Sequence, residues 1–152
     1  MADTKRIYVA SSWRNDLQGG VVQFLRAAGF EVYDFKNPPN GSGFHWSEVA
    51  LHRLPNLLDQ VPVDDYLAAV DHPRAVEGFA SDFDAMHWAD AVVLVLPCGR
   101  SAHLELGWAV GAGKRTAVLL DDPCTPELMY RMVDHLAVSV TDLLGWLKAG
   151  GR

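Results

Sequence analysis

Ala91-Val-Val-Leu-Val-Leu96 is apolar at every position, which is how a strand covered by helices on both faces reads. Residues 97–100 follow as a loop and residues 101–112 as a helix. Further on, the pattern predicts a strand at 115–120, a helix at 126–133, a short strand at 137–140 and a closing helix at 141–148. The same alternation runs upstream. A strand at 5–11 and a polar loop lead to a helix at 17–28, whose Val21, Val22, Leu25 and Ala28 recur at helical spacing and which ends at Gly29. Residues 30–35 alternate as a strand does, and 36–43, with two prolines and two glycines, are a loop. Helical pieces are expected at 46–54, stopped by Pro55, at 64–70 and at 73–88, the last with Val76, Phe79, Ala80, Phe83 and Met86 along its apolar side. Strands that alternate with helices make a parallel sheet between helix layers. Five of them favour the flavodoxin-like, Rossmann-like order 2-1-3-4-5, with ligands beyond the carboxyl ends of strands 1 and 3.

Size and composition set the outer bounds. A chain of 152 residues is expected to form one domain over 1–152, and an apolar fraction of 49% supports a packed core. Thirteen Lys and Arg against nineteen Asp and Glu, a net charge of -6, argue against binding a nucleic-acid polymer. No apolar run approaches a membrane span, and the N-terminal residues carry no signal-peptide core, so the expected address is cytoplasmic. Two cysteines without a CxxC, and six scattered histidines, encode neither a disulfide framework nor a metal site.

The switch-point rule nominates the loops 11–16, which includes Ser11, and 97–101. The helix after the second loop reads Ala102-His-Leu-Glu-Leu-Gly-Trp-Ala-Val-Gly-Ala-Gly113, with Glu105 its only charged residue. A helix apolar nearly all round is expected to be buried, so this carboxylate is desolvated or faces a cavity. Two readings of it stand: a structural or helix-dipole acid, or a group with a chemical purpose. Asp82 and Asp84, on the helix before strand 3, supply a second acid. Two positions lie about 200° apart on a helix, so only one of them can face a cleft. Two carboxylates meeting in a cleft can do glycosidic chemistry, one attacking the anomeric carbon and the other protonating the leaving group; alternatively both are solvated surface acids.

Other residues carry two readings each. Tyr8 either orients Glu105 or belongs to the core. Trp13, Phe44, His45 and Trp46 suit stacking on a planar base, or pack locally. Arg14, Arg100 and Ser101 suit a phosphate, with Ser101 at a helix N-terminus, or Ser101 is a plain N-cap. Cys98 reads as a buried thiol, since no histidine–acid arrangement can be assigned to it.

The runs Lys5-Arg-Ile-Tyr-Val-Ala-Ser11, Ser81-Asp-Phe-Asp-Ala-Met-His-Trp-Ala-Asp-Ala-Val-Val-Leu-Val95 and His103-Leu-Glu-Leu-Gly-Trp-Ala-Val-Gly-Ala-Gly-Lys114 resemble the nucleoside 2-deoxyribosyltransferase family, which includes the deoxynucleoside 5′-monophosphate N-glycosidases. The resemblance implies that Glu105 is a nucleophile forming a glycosyl-enzyme, that Asp82 handles the proton on the base, and that Tyr8 positions Glu105. It also implies a homo-oligomer with sites near subunit contacts, a nucleoside or nucleotide substrate, and no metal or organic cofactor. Transferases of the family carry an acid about six residues before the nucleophile, where this chain has Gly99. The monophosphate-cleaving branch uses small and hydroxyl residues there, which Cys98-Gly-Arg-Ser101 can mimic. The expectation is therefore cleavage of an N-glycosidic bond, with transfer to a second base favoured over hydrolysis. A nucleotide sensor without turnover is the alternative from another class.

Overall fold

A computed structural model describes residues 3–49 and 60–150. The elements are β1 Arg6–Ala10, α1 Gln18–Ala27, β2 Glu31–Asp34, a 3-10 turn Trp46–Val49, α2 Val63–Val70, α3 Pro73–Trp88, β3 Ala91–Val95, α4 Arg100–Gly111, β4 Arg115–Leu119, a 3-10 turn Leu128–Met132, β5 His135–Ala137 and α5 Val140–Lys148. The chain divides into two compact units, one of Met1–Phe35 with Ala85–Arg152 and the other of Lys36–Asp84.

The first unit holds the sheet. All five strands are parallel in the order β2-β1-β3-β4-β5, as the alternating pattern predicts. Strand β3 lies at its centre and is buried at every position. One face of the sheet presents Ile7, Val9, Val32, Val93 and Val95 to Val21, Val22 and Leu25 of α1 and to Leu143 and Leu147 of α5. Because side chains alternate along a strand, Tyr8 projects from the opposite face. There α4 packs along β1, β3 and β4. Helix α1 ends as its sequence predicts. Gly29 adopts φ +98, and the amides of Gly29 and Phe30 return to the carbonyls of Arg26 and Leu25.

Three expectations need correction in this unit. Helix α4 is not buried all round: Ala102, Leu106 and Ala109 face the sheet, whereas Leu104 is 76% exposed and Gly107 and Gly111 face outward. Glycine and alanine make a helix look apolar without giving it a second face worth covering. The helix expected at 126–133 is a single 3-10 turn. Leu128, Met129 and Met132 are exposed there, so no apolar face is gained by extending it. The last strand ends at Ala137 rather than 140, because Ser139 turns the chain into α5 by accepting the amide of Asp142 at 3.0 Å.

The second unit has a small core of Val49, Ala69 and Ala75 with Phe44 packed against it. It overturns the expected face of α3 over the first half of the helix, whereas Phe83 is half-buried and Met86 buried, as expected. Val76 and Ala80 are exposed, and so is Phe79, at 66%, while Ala75 and Gly78 face inward. A Cβ on Gly78 would stand 2.6 Å from Cβ of Phe44, so the small residues turn inward to admit that ring. Phe79 and Phe83 stack on one another at 5.2 Å. The expected helix at 46–54 is a 3-10 turn at Trp46–Val49, and its remainder lies outside the described residues.

Candidate active site

In the first unit the loops after β1 and β3 are stitched together at the switch point. Ser11 Oγ donates to the carbonyl of Val95 at 2.8 Å, and Asn15 Nδ2 donates to the carbonyls of Val95 and Pro97 at 3.2 and 3.1 Å. The Asn15 side-chain oxygen accepts the amide of Leu17 at 2.8 Å, an Asx turn that launches α1. Ser11 is therefore engaged by the scaffold. Between these anchors Trp13 is 39% exposed and meets Phe35 edge to face at 5.4 Å, while Arg14 is exposed beside it.

Glu105 sits in the second turn of α4, half-buried. It is neither sealed in the core nor out on the surface. Tyr8 is wholly buried, stacked on Tyr33 at 5.4 Å, and belongs to the face of the sheet that α4 covers. The N-cap of α4 is Gly99, with no side-chain cap, so Ser101 lies inside the helix and is not its cap. Arg100, Ser101 and Gly99 are all exposed at this helix start.

Cys98 is half-buried with its thiol pushed up to about 12, by burial first and then by the negative charges of Glu105 and Asp121. A thiol held protonated is a poor nucleophile; this one is half-buried where the sequence reading expects a buried thiol. Its neighbour is a group that spacing did not reveal. His103 Nδ1 lies 2.7 Å from the carbonyl of Gly99 and 3.8 Å from the Cys98 sulfur, and His103 Nε2 lies 2.8 Å from the hydroxyl of Tyr130.

In the second unit, Arg74 organises the loop that carries the other expected contacts. It donates to the carbonyls of Ser42 and Gly43 and pairs with Glu48 at 3.0 Å, and Glu48 also accepts the amide of His45 at 2.7 Å. The His45 amide first and then Arg74 hold the Glu48 carboxyl below its usual range. Phe44 is occupied by packing. Trp46 is exposed, 5.1 Å from Phe44 and 6.1 Å from Tyr66. Asp82 is half-buried and Asp84 exposed, as two positions so far apart around one helix require.

Among the described residues no three His, Cys, Asp or Glu side chains gather in a way that could hold a metal ion, and no helix is long and apolar enough to cross a membrane. No family model and no curated protein matches the chain. Solved structures do. A 2-deoxyribosyltransferase from the psychrotolerant bacterium Bacillus psychrosaccharolyticus aligns over 91% of this chain and 90% of its own, with TM-score 0.62 and 19% identity. The chain has the 2-deoxyribosyltransferase fold. A conserved protein from Enterococcus faecalis V583 aligns over 96% and 98% of the two chains, with TM-score 0.61 and 13% identity. The CMP N-glycosidase BcmB of Clostridium botulinum aligns over 94% and 98%, with TM-score 0.54 and 18% identity. At these identities the likeness is one of fold. In this chain's version of the 2-deoxyribosyltransferase fold, the residues that sequence reasoning missed are Asn15, His103, Tyr130 and Arg74. The one local signal among them is Asn15, an Asx-turn residue just ahead of a helix.

Proposed function

We propose that the chain cleaves the N-glycosidic bond of a (deoxy)nucleoside or its 5′-monophosphate. A carboxylate oxygen of Glu105 attacks C1′, and the bonding pair leaves with the base, which takes a proton from Asp82. The nitrogen of a second base, or water, then attacks C1′, returns a proton to Asp82 and frees Glu105. Tyr8 orients the nucleophile from the floor of the sheet. The exposed ring of Trp13 offers a stacking surface to the base, with Trp46 as a further candidate. Arg14, Arg100 and Ser101 are the groups for a phosphate.

The observation that carries this reading is the half-burial of Glu105, a lone carboxylate on α4 beyond the carboxyl end of β3. Desolvation without sealing suits a nucleophile that must meet substrate with little water around it. Asp82 is favoured over Asp84 because Asp84 is solvated. Transfer to a second base is the leading reaction. Hydrolysis of a monophosphate is the second, favoured by Gly99, which puts no carboxylate at the start of α4 where a phosphate would be repelled.

Incubation with deoxyinosine plus adenine, then with deoxynucleoside monophosphates, separates these by chromatography. A new nucleoside means transfer, and free base alone means hydrolysis. Binding without either product means a sensor and overturns the enzymatic reading. Glu105→Ala is expected to lose at least about 10³-fold in turnover while keeping the thermal midpoint of the parent. Near-parental rates in that variant would reject the mechanism.

A further inference from the structure

Beyond Glu105 and Asp82, we propose that His103 is a positioning residue: held by Tyr130 as the neutral Nδ1–H tautomer, it fixes the Gly99 carbonyl and so the substrate-facing loop 97–101. This rests on the reading of Glu105 as nucleophile, since that reading makes the start of α4 the wall of the site.

The tautomer follows from the partners. A carbonyl oxygen only accepts, so the 2.7 Å approach of His103 Nδ1 to Gly99 O requires the hydrogen on Nδ1. In the neutral ring Nε2 is then a lone pair, and the Tyr130 hydroxyl at 2.8 Å is its donor. Tyr130 is buried within the turn after β4, and burial above all pushes its ionisation up to about 12, so the proton stays available. The result is a directed relay, from Tyr130 O–H to His103 Nε2 and from His103 Nδ1–H to Gly99 O.

Gly99 depends on that relay. As N-cap it brings no side chain to the helix start, and α4 has no side-chain cap of its own. The backbone bond that His103 N makes to the same carbonyl is long, 3.4 Å. Neither conformation nor crowding demands glycine here, because φ is -98 and a Cβ would meet nothing within 4 Å. The carbonyl is thus held chiefly by the imidazole, two residues before Glu105 and anchored to the turn after β4. Such a hold sets where substrate lies and leaves the nucleophile itself intact, so it belongs in KM more than in kcat.

The test uses the full chain, 15N-labelled for NMR and unlabelled for kinetics. Long-range correlations of the imidazole at neutral pH should show His103 as the Nδ1–H tautomer, and Tyr130→Phe should turn it into a mixture. Tyr130→Phe and His103→Leu should raise KM about 5–10-fold with kcat within about twofold. His103→Asn, whose amide N–H can stand where Nδ1–H stood, should recover most of that loss. An Nε2–H tautomer or an imidazolium at neutral pH overturns the proposal, and so do equal KM values for the Leu and Asn variants. A fall in kcat and thermal midpoint with KM unmoved would also overturn it, marking a purely structural residue. Should the parent chain show no turnover at all, the enzymatic reading fails by itself. The amide signals of Gly99, Arg100 and Ser101 then decide the His103 assignment: displacement in Tyr130→Phe supports it, and unmoved signals reject it.

Discussion

The thiol of Cys98 stands at the carboxyl end of β3, half-buried, with the carboxylates of Glu105 and Asp121 adding negative charge nearby. Held up at about 12, it is expected to resist iodoacetamide at pH 8, while the exposed Cys124 alkylates freely; peptide mapping should show a rate difference of at least about 100-fold. Equal labelling would contradict the burial described. At this scale the sequence was legible where a residue stood out against its own neighbours. Glu105 was visible as the single charge in an apolar run, and Asp82 with Asp84 as alternatives that helical geometry forces apart. His103, Tyr130 and Arg74 gave no such signal. Their partners are largely backbone carbonyls or side chains of segments far along the chain, and no local pattern encodes which carbonyl a folded loop will present. Ser101 misled for a related reason. A hydroxyl near a helix start reads as a cap, but here the cap position falls two residues earlier, at Gly99, and the chain is already helical at Arg100.

Among the elements, α3 shows how packing overrides hydropathy. Its larger apolar residues suggested one face, yet Gly78 faces inward and Phe79 outward. The ring of Phe44 takes the space a side chain at 78 would need, with contacts of 2.6 and 2.9 Å from a built Cβ to Cβ and Cγ of Phe44. Gly78→Ala should therefore lower stability by about 1–3 kcal/mol, in spite of alanine's better helix propensity. Chemical denaturation followed by tryptophan fluorescence measures it, and an unchanged or raised midpoint would mean that Phe44 yields at little cost. The bounds of α3 matched the expected 73–88 because its proline and its periodicity are local signals. Its orientation was not legible, since it depends on a loop residue more than thirty positions away. The turn at Leu128–Met132 fell short of a helix for lack of a surface to bury, which is also a matter of neighbours.

At the scale of the whole molecule, the strand order was readable because alternating strands and helices leave few arrangements compatible with right-handed crossovers. The amino edge of the sheet is locked by Asp90, which accepts the amides of Lys5 and Arg6 and the guanidinium of Arg6, the last at 2.7 Å. Burial works against the charge, but the Arg6 guanidinium and the two amides outweigh it and hold the carboxyl at about 2. A folded value below the unfolded one stabilises the native state above the unfolded value, and that contribution disappears as pH falls through the folded one. Asp90→Asn is thus expected to cost about 1–2 kcal/mol near pH 7, discounted for partial exposure, with the gap to the parent closing between about pH 5 and pH 2. Thermal melts across that range check it, and a gap that stays constant would remove Asp90 from the acid response. The opposite edge has a different property. Ser11 and Asn15 both hang from the carbonyls that end β3, so the rim after β1 is registered to the central strand before any guest arrives. A substrate bound there as proposed would meet a preset jig and would not have to mould one, so selectivity at this rim would be a matter of which shapes it admits.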